Sequence, residues 1–141
     1  MRVLAALILL ALSACGTLTP PNAVVWGVPV RYELADVPGD LVGQAVVRGM
    51  TCRVTVEEAT VFLVAHEATH CHDRMYGLIP AWEAAPPVCW IQEAHRCTPH
   101  EAHADAVARA VILAGCETGD LGWPGGEVTG CTLPDPRHVT P

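Results

Sequence analysis

The residues of this chain that could do chemistry are concentrated in His66-Glu67-Ala68-Thr69-His70, an HExxH sequence. On a helix the two histidines lie about 40° apart in azimuth and one turn apart along the axis, so both imidazoles can reach a single zinc ion. Glu67 stands beside them. Its carboxylate can hold a metal-bound water at the open side of the coordination sphere, as a general base in metal-assisted hydrolysis must. With 7 His in 141 residues, such a pattern is expected by chance roughly 0.02 times. The competing reading is two core histidines and a buried glutamate. Burying three polar groups without partners is costly, and a metal supplies the missing partner.

A third protein ligand is needed. The metzincin pattern would place Gly and His at positions 73 and 76, where Asp73 and Tyr76 stand, so that option fails. A second segment, Glu101-Ala102-His103-Ala104-Asp105, has ExxxD spacing. Glu101 and Asp105 share one face of a helix, so Glu101 can bind the metal. Asp105 can then accept a hydrogen bond from the far nitrogen of a metal-bound histidine. The alternative is an ordinary solvated acidic face near a helix N-terminus. His103 competes with Glu101 as ligand but lies about 200° around the helix from it, so only one of them can face the metal. Asp73, seven residues after His66, is a further candidate for support of the ligands. Tyr76, His95 and His103 are candidate donors to a developing oxyanion. His72 should face elsewhere or water, and His100 and His138 are most simply surface residues.

These side chains require two helices and something to hold them. Glu57 to Tyr76 runs without Gly or Pro and stops at Gly77, which predicts a helix of about five turns. Thr55 and Glu58 have capping-box spacing at its start. Its first half, Ala59 to Ala65, is apolar almost all round and should be deeply buried. Pro99 opens a second helix ending near Leu113 or Ala114, where Gly115 closes it. Its alanines leave it slim enough for another helix to approach closely. Upstream, Val24–Leu34, Leu41–Arg48 and Thr51–Val56 read as three strands. Pro80 to Cys97 reads as an irregular connection pinned by cystines. The Gly- and Pro-rich tail from Gly119 should wrap the surface, held by Cys131. Trp82, Trp90 and Trp123 are best used to fill a small core. The expected fold class is α+β, with a small antiparallel sheet of about three strands packed on both helices.

With HExxH on one helix and ExxxD on the next, the segment from Thr51 to Leu113 resembles the gluzincin metallopeptidases, and its small size looks like the minigluzincins. The resemblance is carried by His66, Glu67, His70, Glu101 and Asp105. It implies peptide-bond hydrolysis by a zinc-activated water. It also implies that the strand before the active helix is the edge that pairs with an extended peptide substrate.

Export is written at the N-terminus. Met1-Arg2 precedes an apolar run from Val3 to Leu12, too short to span a bilayer and suited to a signal peptide. Leu12-Ser13-Ala14-Cys15 then resembles the lipobox of bacterial lipoproteins. This implies removal of residues 1–14 and lipid on Cys15, with residues 15–22 as a tether and 23–141 as a single domain. The alternative is a soluble secreted protein cut nearby, with Cys15 incidental. Gly16, rather than Asp, follows the cysteine, so no inner-membrane retention signal of the usual type is visible. The remaining six cysteines, Cys52, Cys71, Cys89, Cys97, Cys116 and Cys131, form an even set with no CxxC spacing, which favours three disulfides over a cysteine zinc site. Six cysteines allow 15 pairings; loop length alone favours neighbours, 52–71, 89–97 and 116–131.

Eight arginines, no lysine and 15 acidic residues give a formal charge of -7, which argues against binding a nucleic-acid backbone. The sequence therefore predicts a lipid-anchored, extracytoplasmic zinc metallopeptidase of a bacterial envelope (outer membrane or periplasmic face in a diderm). It would carry one Zn2+ per chain, with a peptide or protein substrate and a membrane contact through its lipid. Two other readings share these residues: a zinc-stabilised envelope lipoprotein that binds a partner without catalysis, and a hydrolase of cell-wall peptides.

Overall fold

The computed structural model describes residues 19–78 and 98–141. Cys15, Cys89, Cys97, His95, Trp82, Trp90, the signal segment and the connection from Pro80 to Cys97 lie outside the described residues. Four strands, β1 (Ala23–Val25), β2 (Val28–Leu34), β3 (Gly43–Arg48) and β4 (Thr51–Val56), precede two helices, α1 (Val61–Tyr76) and α2 (Pro99–Leu113). Among the described residues a 3-10 turn, Pro136–His138, follows. The architecture is α+β with a small sheet, as the sequence predicts.

The sheet departs from that reading in three respects. The segment Val24–Leu34 is two strands, because Trp26 (φ 49°) and Gly27 (φ 78°) turn the chain back as a two-residue hairpin. Both residues have positive φ, the requirement of a type I′ turn. The sheet is mixed, in the order β1-β2-β4-β3. β3 and β4 form an antiparallel hairpin, and that hairpin docks with β4 against β2 in parallel. β4 is therefore interior, and β3 is the edge next to it. This corrects the expectation that the strand before the active helix is the sheet edge.

Alternation on β2 and β4 sends Val30, Tyr32, Cys52, Val54 and Val56 into the core, where they meet Val64, Ala68 and Cys71 of α1 and Val107, Ala108 and Val111 of α2. Arg31, Glu33 and Arg53 occupy the opposite face and pair with one another. Helix α1 starts four residues later than the Gly- and Pro-free run from Glu57 suggests. Thr55 is still in β4, and the Glu57 amide still pairs with the Val42 carbonyl. Thr60 is the N-cap, its side chain accepting from the Leu63 amide at 3.2 Å. Only Val64 and Ala65 of the first apolar stretch are fully buried, whereas Val61, Phe62 and Leu63 are half-exposed. At the other end Gly77 (φ 65°) caps the helix, as predicted.

Helix α2 begins with Thr98 as N-cap and Pro99 in its first turn. Ala104 and Ala108 are fully buried, which is where small side chains let the two helices approach. The tail does more than wrap the surface. Leu121 is fully buried, the Tyr32 hydroxyl donates to its carbonyl at 2.9 Å, and Trp123 packs on the Tyr32 ring. Disulfides join Cys52 to Cys71 and Cys116 to Cys131, two of the three neighbour pairings. The first ties β4 to α1 one residue beyond His70.

Candidate metal centre

Helix periodicity puts His66 and His70 on one side of α1, and α2 lies against that side. The result is a compact cluster. His66 Nε2 lies 3.0 Å from Glu101 Oε2, His70 Nε2 lies 3.3 Å from Glu101 Oε1, and the two Nε2 atoms are 3.1 Å apart. Zinc ligands about 2.0–2.1 Å from the metal in tetrahedral array stand roughly 3.3 Å from one another, so two imidazoles and one carboxylate here have the spacing of a shared cation. His66, His70 and Glu101 form a group able to hold a metal ion, and all three remain partly accessible.

The surrounding groups fit that role. His66 Nδ1 lies 3.0 Å from Asp105 Oδ1, so the nitrogen away from the cluster donates and Nε2 is left for the centre. Phe62 covers the site from one turn upstream, its ring 5.9 Å from that of His66. Arg109 reaches Asp105 at 3.7 Å. Burial pulls the His66 pKa down, but the Glu101 hydrogen bond and the charges of Glu67, Glu101 and Asp105 outweigh it and leave the value raised. Burial likewise opposes ionisation of Glu101, yet hydrogen bonds from both histidines hold its carboxyl far below the usual range. The cluster thus concentrates negative charge around imidazole nitrogens, the electrostatics a cation requires.

Glu67 is 7% exposed and packs against β3 at Gly43. Burial raises its pKa, against the lowering influence of His70 and His66.

Other candidates turn elsewhere. His103 is 1% exposed, with Nδ1 2.6 Å from Asp73 Oδ2 and Nε2 2.9 Å from the Pro136 carbonyl. Both neighbours only accept, so both nitrogens carry protons and His103 is a buried imidazolium. It is neither a competing ligand nor an oxyanion donor. Asp73 serves this ion pair, and also His72 at 3.3 Å, instead of the His66 cluster. His72 is buried, not solvated, and is sandwiched near Trp26 and Tyr76. Tyr76 stacks on His72 at 4.8 Å, with its hydroxyl beside Gly27, so it too is engaged away from the cluster. His100 and His138 are exposed, as expected.

A second group, Cys116, Asp120 and Cys131, also converges. Its sulfurs are bonded to each other, and the Asp120 carboxylate already accepts from Glu117, Thr129 and Gly130. Those hydrogen bonds, the Glu117 amide foremost, hold Asp120 at about 2. It is a loop clamp.

The Gly43 wall and the Asp73–His103 pair were not legible as such in the sequence. The only local signal was an acidic and a basic residue at buried-face positions of two helices, and nothing near Gly43 marks it. No protein-family model matches the chain, and no curated protein or solved structure is significantly similar to it.

Proposed function

We propose that the protein is an extracytoplasmic zinc metallopeptidase, lipid-anchored through Cys15, in which His66, His70 and Glu101 hold the metal and Glu67 is the general base. The observation carrying this reading is the convergence of two Nε2 atoms and one carboxylate within 3.0–3.3 Å, beside a buried glutamate. Bound zinc supplies a Lewis acid that brings the pKa of a coordinated water to about 7. Glu67 takes a proton from the attacking water and returns it to the leaving amine, a task suited to a carboxyl whose pKa burial has raised. Asp105 orients His66. β3, at the sheet edge beside Glu67, is where an extended peptide would add as a further strand.

Two disulfides point to an oxidising compartment. Among the described residues no helix is long and apolar enough to cross a membrane. The Leu12-Ser13-Ala14-Cys15 segment supports attachment by lipid. The deciding experiment is Glu67→Gln in purified mature protein assayed on a diverse peptide library. Zinc should be retained and turnover fall to a small residual rate; turnover at the wild-type rate removes Glu67 from the mechanism.

One observation favours a non-catalytic, zinc-stabilised envelope lipoprotein instead. Of the candidate oxyanion donors, Tyr76 and His103 are both engaged away from the cluster, and His95 is outside the described residues. Zinc-loaded wild-type protein that cleaves no library peptide decides for that reading.

A further inference from the structure

Gly43 is the first residue of β3, buried, and paired with Val56 of β4, whose side chain enters the core. Its φ lies outside the left-handed region, so the backbone conformation is one any residue adopts. Glycine also weakens a strand interior. The reason for it lies on α1, which packs over this end of β3. A Cβ at position 43 would sit 2.6 Å from Glu67 Oε1, 3.0 Å from Cγ and 3.1 Å from Cδ. The end of the Glu67 side chain fills the space where any other residue would carry its first side-chain atom.

Two other described glycines outside the left-handed region, Gly119 and Gly126, show how specific this is. A Cβ at Gly119 would strike the Gly126 and Glu127 carbonyls, and one at Gly126 the Thr118 hydroxyl and Gly119 amide, a close approach of two loop segments. At Gly43 it would strike the side chain that neighbours both imidazoles. Glu67, moreover, is almost fully buried with no hydrogen bond to its carboxylate among the described residues.

We infer that Gly43 is a positioning residue for Glu67: its missing side chain makes the seat in β3 that sets where the carboxylate stands relative to His66 and His70. The inference rests on reading Glu67 as the general base. It also ties the sheet edge to the chemistry, since the strand beside a bound peptide would be the one that holds the base.

A thermal-unfolding cycle of wild type, Gly43→Ala, Glu67→Ala and the double variant, all zinc-loaded, tests the contact. Gly43→Ala should lower Tm by roughly 5–10 °C when Glu67 is present. With Glu67→Ala the same change should leave Tm unaltered or raise it, because alanine suits a strand better than glycine. A Gly43→Ala protein that fails to fold, beside a double variant that folds, supports the contact equally. Peptide turnover tests the positioning. Gly43→Ala should lower kcat about 100-fold, with zinc content unchanged and KM within about twofold. In a Glu67→Gln background it should add less than about twofold, since a residue acting through Glu67 has nothing left to act on. Equal Tm losses in both backgrounds, an unaltered kcat, or multiplicative losses overturn the inference. Absence of wild-type turnover defeats the peptidase reading and with it this role, while the Tm cycle still reports the contact by itself.

Discussion

Asp105 Oδ1 accepts from His66 Nδ1 at 3.0 Å across the α1–α2 interface, and this bond turns the other ring nitrogen, Nε2, toward Glu101 and His70. It holds the ring plane, with Nε2 as the nitrogen from which a metal would displace the proton. Asp105→Ala should therefore weaken zinc binding about 10–100-fold, read by competition with a chromophoric chelator. Asp105→Asn should fall between, because an amide oxygen still accepts. An Asp105→Ala protein with wild-type affinity contradicts the role given to this carboxylate.

The Cys52–Cys71 bond closes a loop spanning 19 residues and anchors α1 beside His70. Loops of this size contribute about 3 kcal/mol by restricting the unfolded chain. Cys52→Ala with Cys71→Ala should lose roughly that much in urea unfolding and should also weaken zinc binding. The corresponding Cys116 and Cys131 double variant should destabilise the tail with less effect on zinc.

The Asp73–His103 pair sets a pH optimum for stability. Burial opposes the charge on both, but their mutual hydrogen bond wins, lowering Asp73 from 3.8 and raising His103 from 6.5. For Asp73 the stabilisation is full above its unfolded pKa and is lost as pH falls through the depressed folded value. For His103 it is full below its unfolded pKa and is lost as pH rises through the elevated one. Metal-free protein should thus be most stable between about pH 4 and 6.5. Asp73→Asn, which leaves an uncompensated buried charge, should cost about 3–5 kcal/mol and flatten both limbs. A pH-stability profile identical to wild type contradicts this pairing.

Much of the site was legible because its determinants are local. The spacing of His66 and His70, and of Glu101 and Asp105, is a property of one helix, and helix geometry is the same wherever a helix sits. Gly77, Pro99 and Gly115 mark ends through backbone constraints that act within a residue or two. What the sequence left open depends on contacts between distant segments. The insertion of β4 between β2 and β3 is a choice of strand partners. Asp73 lies on nearly the azimuth of His66, yet two turns further along it meets His103 instead, since angle on one helix does not say which residue of another stands opposite. His103 looked like a competing ligand for the same reason. Trp26, a rare residue type at positive φ, hid a hairpin turn within an apolar run. Gly43 became meaningful only once β3 was seen to pass over Glu67.

The most direct test of the centre is zinc content by elemental analysis, after dialysis, of wild type beside Glu101→Ala. The arrangement of Glu101 with His66 and His70 predicts one equivalent in wild type and near-complete loss in the variant, with both proteins folded. Full zinc retention by a folded Glu101→Ala, or a wild-type protein that binds none, would contradict it.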